Sequence, residues 1–276
     1  MTEPAELESR CELLRSLHVP GDPIVLPNAW DAASAKAVEA AGFPVVATTS
    51  GGVAAALGYE DHEGAPSDEM LAAAERIGRC VDIPMTVDAE AGYGMEPAKL
   101  VAELRRAGAA GCNLEDADHA GGNLRDPERH ADWLRRVREA ARDEDYGLVI
   151  NARVDVFLHP FLAGAGPGTQ EELVPEAVRR ANAYLDAGVD CVFPILLWEA
   201  NAVRAFTSDT PGPVNVLGIP TAPSPAELAG LGVARISYGT LLHRNQMEQL
   251  NGTLESLVEE LPKGAKSSRP ADGTSD

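Results

Sequence analysis

Residues 85–116 read MTVDAEAGYGMEPAKLVAELRRAGAAGCNLED. The stretch begins with an apolar strand pattern, Met85 to Asp88, turns on two glycines, and continues into a helical pattern from Pro97 to Ala107. A second strand pattern, Gly111 to Leu114, follows at once. A proline near the first turn and an Ala-Gly pair after the last turn are the usual helix start and stop signals. A helix between two strand patterns predicts a parallel βαβ unit.

The same alternation continues in both directions along the chain. Eight strand patterns occur in all, at Ile24–Pro27, Val45–Thr48, Met85–Asp88, Gly111–Leu114, Leu148–Asn151, Cys191–Pro194, Val214–Leu217 and Ala234–Ser237. Helical patterns lie among them, at Ala32–Ala41, Asp68–Cys80, Pro97–Ala107, Pro127–Arg142, Pro175–Ala187 and Thr240–Leu261. Eight βα units favour a (β/α)8 TIM barrel, with a doubly wound open sheet as the alternative. The absence of GxGxxG from the first unit favours the barrel.

We therefore predict an α/β protein with a single barrel domain over residues 1–262. An amphipathic leader helix from Glu3 to Leu17 precedes the barrel. Residues 263–276 contain too few apolar side chains to offset the entropy of ordering them, so we predict a disordered tail.

Composition restricts the partners and the compartment. The chain has 276 residues, of which 43 are acidic and 23 basic, with a formal net charge of -20. This charge repels phosphate backbones and anionic lipid headgroups, which argues against nucleic-acid and membrane partners. The four cysteines form no CxxC pair, and the first residues lack a signal-peptide pattern, so we expect a cytoplasmic protein.

Acidic side chains gather at the ends of two neighbouring strands. Asp88 and Glu90 follow the third strand, and Glu115 and Asp116 follow the fourth. In a barrel these positions share one mouth, where four like charges repel one another unless a cation or protons intervene. Capping of the following helices is the simpler account of any one of these acids. Taken together, the oxygen donors predict a Mg²⁺ site.

Other strand ends supply groups that suit an anion. The run from Thr48 through Ser50 and Gly51 to Gly52 offers hydroxyls and unhindered N–H groups, although it is also ordinary loop chemistry. Arg153 follows the fifth strand and can meet either an anionic substrate or Asp155.

Several mechanisms lack the residues they need. Lysine occurs only at Lys36, Lys99, Lys263 and Lys266, away from every strand end, which argues against an imine-forming aldolase. The six histidines are scattered without a zinc-binding pattern. Only His119, in the loop after Glu115, is placed for a role in catalysis. The later strands end mostly in apolar or small groups, with Asn215 as a partial exception and a candidate to bind substrate.

Four segments together resemble the isocitrate lyase and phosphoenolpyruvate mutase superfamily. They are LPNAWDAASAKAVEAAGFPVVATTSGG, VDAEAGYG, AGAAGCNLEDAD and VINARVDVFL, and the resemblance is strong from about Val25 to Leu158 and weaker to about Leu242. It implies a (β/α)8 barrel whose last helix is exchanged between subunits, as a homodimer or homotetramer. It also implies Mg²⁺ as cofactor.

The resemblance assigns roles to individual residues. Asp88 would bind the metal, with Glu90 and Glu115 joining it directly or through water. The turn at Ser50, Gly51 and Gly52 would hold a substrate carboxylate. Asp61 would line the site, and Arg153 would contact a small anionic oxo-acid.

The loop after the fourth strand departs from the best-known activities. Isocitrate and methylisocitrate lyases carry a Lys-Arg-Cys-Gly-His type loop, and phosphorus–carbon mutases carry a lysine and an asparagine there, whereas this chain reads ADHAGGNL over residues 117–124. We therefore expect a Mg²⁺-dependent carbon–carbon lyase acting on a small 2-oxo or 2-hydroxy di- or tricarboxylate through a pyruvate-like enolate, with catalytic roles for Arg153, Glu115 and His119. A phosphonate mutase or hydrolase is the first alternative, and a catalytically silent metabolite-binding barrel is the second.

Overall fold

Eight parallel strands form the centre of the computed structural model, which describes residues 3–119, 121–164 and 168–261. They are β1 (Asp22–Leu26), β2 (Val46–Thr48), β3 (Met85–Asp88), β4 (Gly111–Glu115), β5 (Val149–Val154), β6 (Cys191–Pro194), β7 (Asn215–Leu217) and β8 (Arg235–Ser237). All eight predicted strands are confirmed. The tail at residues 263–276 lies outside the described part of the chain.

The strands close into a barrel. Parallel pairing runs through β2, β3, β4, β5 and β6, and separately from β7 through β8 to β1. A two-residue continuation of β1, Asn28–Ala29, pairs with β2 and joins the two groups on one side. The parallel bridge between Val192 and Val214 joins them on the other side. The (β/α)8 prediction is thus confirmed, and the open-sheet alternative is wrong.

Helices surround the barrel. They are α1 (Pro4–Ser16), α2 (Ala32–Ala40), α3 (Ser50–Leu57), α4 (Ser67–Gly78), α5 (Pro97–Arg106), α6 (Pro127–Asp143), α7 (Leu158–Leu162), α8 (Thr169–Asp186), α9 (Ala200–Asp209), α10 (Pro225–Gly230) and α11 (Leu241–Glu259). Helix α8 begins earlier than the predicted start at Pro175, which lies inside the helix. The loss of one backbone hydrogen bond there is offset by the buried neighbours Val174 and Ala177.

Helix α1 closes the amino-terminal end of the barrel. Leu7, Cys11 and Leu14 are buried on its inner face. Gly111, the first residue of β4, permits the close approach, because a Cβ there would stand 2.8 Å from Leu14 Cδ2 and 2.7 Å from the Val149 carbonyl oxygen. Helix α1 thus leaves the opposite, carboxyl-terminal end of the barrel uncovered, and the polar functional side chains of such barrels lie at that end.

Helix α11 is exposed from Arg244 to its end. No side chain in Leu241–Glu259 is buried, and Leu250, Leu254 and Leu257 are among its exposed apolar residues. Its start contacts the barrel, where the His243 ring lies edge-on to Trp30 with 5.0 Å between centroids. Among the described residues, no helix is long and apolar enough to cross a membrane.

A buried histidine predicts how stability depends on pH. Burial lowers the pKa of His130 to about 3 from its ordinary value of 6.5, and Arg125 and Arg180 act in the same direction. As the pH falls from about 6.5 towards 3, the unfolded chain binds a proton that the folded chain does not, so the free energy of unfolding decreases. His130→Phe should keep the ring packed beside Trp133 and remove about 2 kcal/mol of this loss at pH 5. Urea unfolding of both proteins at pH 5 and pH 7.5 measures the difference, and an equal pH dependence in the two would contradict the assignment.

Candidate functional site

A cavity of about 410 Å³ opens at the carboxyl-terminal mouth of the barrel. Its walls combine carboxylates, an arginine, amides and hydroxyls, and they include Asn28, Ser50, Gly51, Asp61, His62, Asp88, Asn113, Arg153, Ser237 and Thr240. Five of the predicted site residues, Ser50, Gly51, Asp61, Asp88 and Arg153, are therefore brought together here. The other predicted site residues are not part of the wall; they are Gly52, Glu90, Glu115, His119 and Asn215.

Asp88 ends β3 with its carboxylate at the cavity. Its backbone N–H donates to Thr48 Oγ1 at 2.8 Å, and its Oδ2 accepts from the Ser50 N–H at 3.1 Å. These two bonds connect the ends of β2 and β3, and neither of them uses Oδ1. Asp88 is thus oriented by neighbouring strands and available to a ligand.

The residues expected to form an open turn begin a helix instead. Ser50, Gly51 and Gly52 are the first residues of α3. A Cβ on Gly51 would stand 2.6 Å from Asp61 Oδ2 and 2.9 Å from Thr240 Oγ1, so glycine is what allows these groups to meet. A helix amino terminus directed at a cavity offers N–H donors and a favourable dipole to a carboxylate.

Glu90 is buried beside Asp88 in an unusual backbone conformation. It is 3% exposed and has a φ of 47°, and its Oε2 accepts from the Glu63 N–H. Burial raises the pKa of Glu90 to about 8, with further contributions from the charges of Asp88, Asp61 and Glu115. A left-handed conformation at a non-glycine residue is held only by its surroundings. Like charges are therefore concentrated here in the absence of a cation.

Glu115 and Arg153 form the centre of a buried ionic network. The Arg153 guanidinium pairs with Glu115 Oε2 and, through Nε at 2.8 Å, with Asp155 Oδ1. His119 Nε2 pairs with the other oxygen of Glu115, and this hydrogen bond raises the pKa of His119. The sequence offered Arg153 two alternative partners, Asp155 and an anionic substrate. The ion pair with Asp155 is confirmed. Arg153 also lines the cavity, where its guanidinium can contact an anion.

Asp116 is not part of the acidic cluster. Its Oδ2 accepts from Arg180 at 3.0 Å and from the Tyr184 hydroxyl at 2.7 Å, while its Oδ1 accepts from the Asp155 N–H at 2.9 Å. Asp116 directly follows Glu115, the last residue of β4, and the two extended neighbours point in opposite directions. The expectation that Asp116 joins the other acids is wrong.

The donor set suits Mg²⁺ held largely through water. Within residues 3–119, 121–164 and 168–261, no three His, Cys, Asp or Glu side chains converge as a ready metal cage. Mg²⁺ usually keeps several waters and takes only one or two carboxylates. Asp88 would bind the metal directly through a carboxylate oxygen, and Glu90 and Glu115 would accept hydrogen bonds from metal-bound water. This is one of the two arrangements that the family resemblance implies.

Several polar wall residues were not identified from the sequence, and His62 and Asn113 are two of them. His62 lies in the loop between α3 and α4, and its ring is 5.3 Å from that of His119. Asn113 lies inside β4, where only its position two residues before Glu115 signals that it faces the interior. Nothing in the sequence marks His62 except its place after Asp61.

Known proteins share this sequence pattern. The family model described as phosphoenolpyruvate phosphomutase matches residues 14–258. The chain belongs to this family. The expected resemblance to the isocitrate lyase and phosphoenolpyruvate mutase superfamily is thereby confirmed.

Individual members of the superfamily resemble the whole barrel. A putative phosphonomutase from Burkholderia cenocepacia J2315 is 40% identical and superposes with a TM-score of 0.84 over 91% of this chain and 99% of that chain. A probable 2-methylisocitrate lyase of Corynebacterium glutamicum is 32% identical over 84% of this chain and 76% of its own length. An uncharacterised Mycobacterium tuberculosis protein is 33% identical over 82% of this chain and 81% of its own length. Lyases and mutases both occur among these relatives, so membership of the family does not choose between carbon–carbon and carbon–phosphorus cleavage.

Proposed function

We propose that this phosphoenolpyruvate mutase family member is a Mg²⁺-dependent carbon–carbon lyase for a small 2-oxo or 2-hydroxy di- or tricarboxylate, acting through a pyruvate-like enolate. One observation carries the proposal. The Asp88 carboxylate and the Arg153 guanidinium face the same polar cavity, one suited to a hard cation and the other to an organic anion.

Three wall residues, Ser50, Gly51 and Arg153, would contact the substrate in this reaction. The amino terminus of α3, at Ser50 and Gly51, binds a substrate carboxylate. Arg153, fixed by Glu115 and Asp155, donates to the oxo oxygen on which negative charge develops. Mg²⁺, when bound, supplies Lewis-acid stabilisation of the same charge.

His119 is the residue of the 117–124 loop that can hold a proton near this site. Its Nε2 is bonded to Glu115, which favours the protonated imidazole. The loop has neither the cysteine of methylisocitrate lyases nor the lysine of the mutases. Decarboxylation, or cleavage with water or the deprotonated form of His119 as the base, is therefore the simplest chemistry for the loop, and a phosphonate mutase or hydrolase is the alternative.

A substrate panel tests the proposed reaction. Oxaloacetate, 2-methylisocitrate, dimethylmalate and phosphonopyruvate are each incubated with the protein in Mg²⁺ and in chelator, and pyruvate-type products are measured. We expect Mg²⁺-dependent turnover of one of the first three. Turnover of phosphonopyruvate alone would support the alternative, and binding of substrates without turnover of any would support a silent metabolite-binding barrel.

We also propose that the exposed helix α11 packs against a second copy of the chain, as the family resemblance implies, to give a homodimer or homotetramer. Its apolar side chains Leu250, Leu254 and Leu257 share one face of the helix. Leu254→Glu should place a charge in this contact and yield monomers in light scattering after gel filtration, whereas Asn251→Glu on the same helix should not. A monomeric parent protein, or an unchanged mass for Leu254→Glu, would contradict the proposal. The cytoplasmic location stays a prediction based on the cysteine pattern, and the absence of nucleic-acid and membrane partners stays a prediction based on charge.

A further inference from the structure

Asn113 lies at the floor of the cavity with its amide orientation fixed from below. Its Oδ1 accepts from Asn151 Nδ2 at 2.8 Å and from Arg235 Nη2 at 3.2 Å. A guanidinium has donors and no acceptor, so the side of the amide that meets Arg235 must be the oxygen. The NH₂ group of Asn113 consequently points the other way, towards the cavity that the residue lines.

Arg235 is an unusual residue for the inside of a barrel. It is 0% exposed, and within the described ranges its Nε and Nη1 have no hydrogen-bond partner and no carboxylate pairs with it. Burial lowers the pKa of Arg235, yet a guanidinium keeps its proton in proteins. A buried cation without a paired anion is costly and needs a compensating interaction. The charge of Asp88, a carboxylate of the cavity wall that Asn113 also lines, acts on Arg235 without forming an ion pair with it.

We propose that Asn113 is a substrate-binding residue whose NH₂ donates to an oxygen of the anion in the cavity, and that Arg235 and Asn151 are positioning residues that hold the amide in this orientation. This inference rests on the proposed function, because it requires the cavity to bind an oxo-acid. The Asn113 NH₂ would thus be a third group for binding the anion, a neutral donor on the cavity floor that acts alongside the cation site at Asp88 and the guanidinium of Arg153. The Arg235 charge polarises the Asn113 amide and strengthens its N–H as a donor.

Asn113→Asp is the sharpest test, because it retains an acceptor oxygen for Asn151 and Arg235, replaces the cavity-facing donor with an acceptor and adds a negative charge. Calorimetric titration with oxalate, a mimic of the enolate, at saturating Mg²⁺ should show affinity reduced by more than ~10-fold relative to the parent protein. The thermal unfolding midpoint should stay near that of the parent. Asn201→Asp, which adds the same charge at an exposed position on α9, should bind oxalate like the parent.

The outcomes separate the two proposals. A parent protein that binds no oxalate would overturn the proposed function and this inference together. A parent that binds oxalate while Asn113→Asp binds it equally well would overturn only the inference. Tighter Mg²⁺ binding by Asn113→Asp with unchanged oxalate affinity would also overturn it, since the amide oxygen would then be the group that faces the cavity.

The positioning role has its own readout. Arg235→Met should weaken oxalate binding, and adding it to Asn113→Asp should cost little more, because both act through the same amide. Asn151→Ser gives a second route to the same comparison if Arg235→Met does not fold. Additive losses would mean that the buried residues act independently of Asn113 and would overturn the positioning role.

Discussion

Asp88→Ala should lower Mg²⁺-dependent turnover by about 1,000-fold or more while leaving the barrel folded. Asp88 is the carboxylate on the cavity wall whose backbone and Oδ2 are fixed by Thr48 and Ser50. Loss of the direct metal oxygen removes several kcal/mol of stabilisation from the developing charge, and each 1.36 kcal/mol corresponds to a factor of ten. Steady-state kinetics with the best substrate of the panel measures the effect, with circular dichroism as the check on folding.

Asp143→Ala is the matched control for Asp88→Ala. Asp143 is exposed in the last turn of α6, so its loss changes the net charge equally without touching the mouth of the barrel. It should retain the parent turnover. An Asp88→Ala protein that is as active as Asp143→Ala would show that the metal lies elsewhere.

Arg153→Lys should lower kcat/KM by about 100-fold with a smaller effect on stability. The guanidinium reaches Glu115 and Asp155 at the same time, and a lysine keeps the charge without the forked donors that serve both carboxylates and the substrate. Arg153→Met is the harsher change, because it removes the guanidinium from two buried carboxylates, Glu115 and Asp155, at a cost of about 3–5 kcal/mol. Kinetics and urea unfolding of both variants separate catalysis from stability.

Arg129→Lys provides the control for this pair, since Arg129 is exposed on α6 and is not part of the cavity wall. Its kinetics should match the parent. If Arg153→Lys also matched the parent while Arg153→Met unfolded, Arg153 would be an ion-pair residue of the scaffold with no contact to substrate.

The strands could be predicted because the residue pattern of a buried strand involves only residues that are neighbours in the sequence. A barrel strand is covered on both faces, so it is a short run of apolar or β-branched residues bounded by glycine, proline or a polar cluster. The helix at Ser50–Leu57 was not recognised, because two consecutive glycines are poor helix formers and favour a turn. The start of α8 was misplaced because Pro175 is tolerated inside the helix.

The site was predictable in its residue types and less so in its geometry. Asp88, Arg153 and Ser50 could be assigned to one mouth because parallel strands end there. Glu115 and Asp116 could not be distinguished by type, and only the direction of each side chain separates an ionic partner of Arg153 from a partner of Arg180. The amide of Asn113 acquires its role from Arg235, which lies 122 positions away in the chain. Such contacts follow from closure of the barrel and have no local signature.

Titration of the protein with oxalate, in Mg²⁺ and again in chelator, tests the central claim most directly. The claim is that an oxygen-donor metal site at Asp88 and a guanidinium at Arg153 bind one small oxo-acid anion between them. We expect oxalate to bind at least ~10-fold more tightly in Mg²⁺ than in chelator, and this metal dependence to disappear in Asp88→Ala. Equal affinity with and without the metal, or metal dependence that survives in Asp88→Ala, would contradict it.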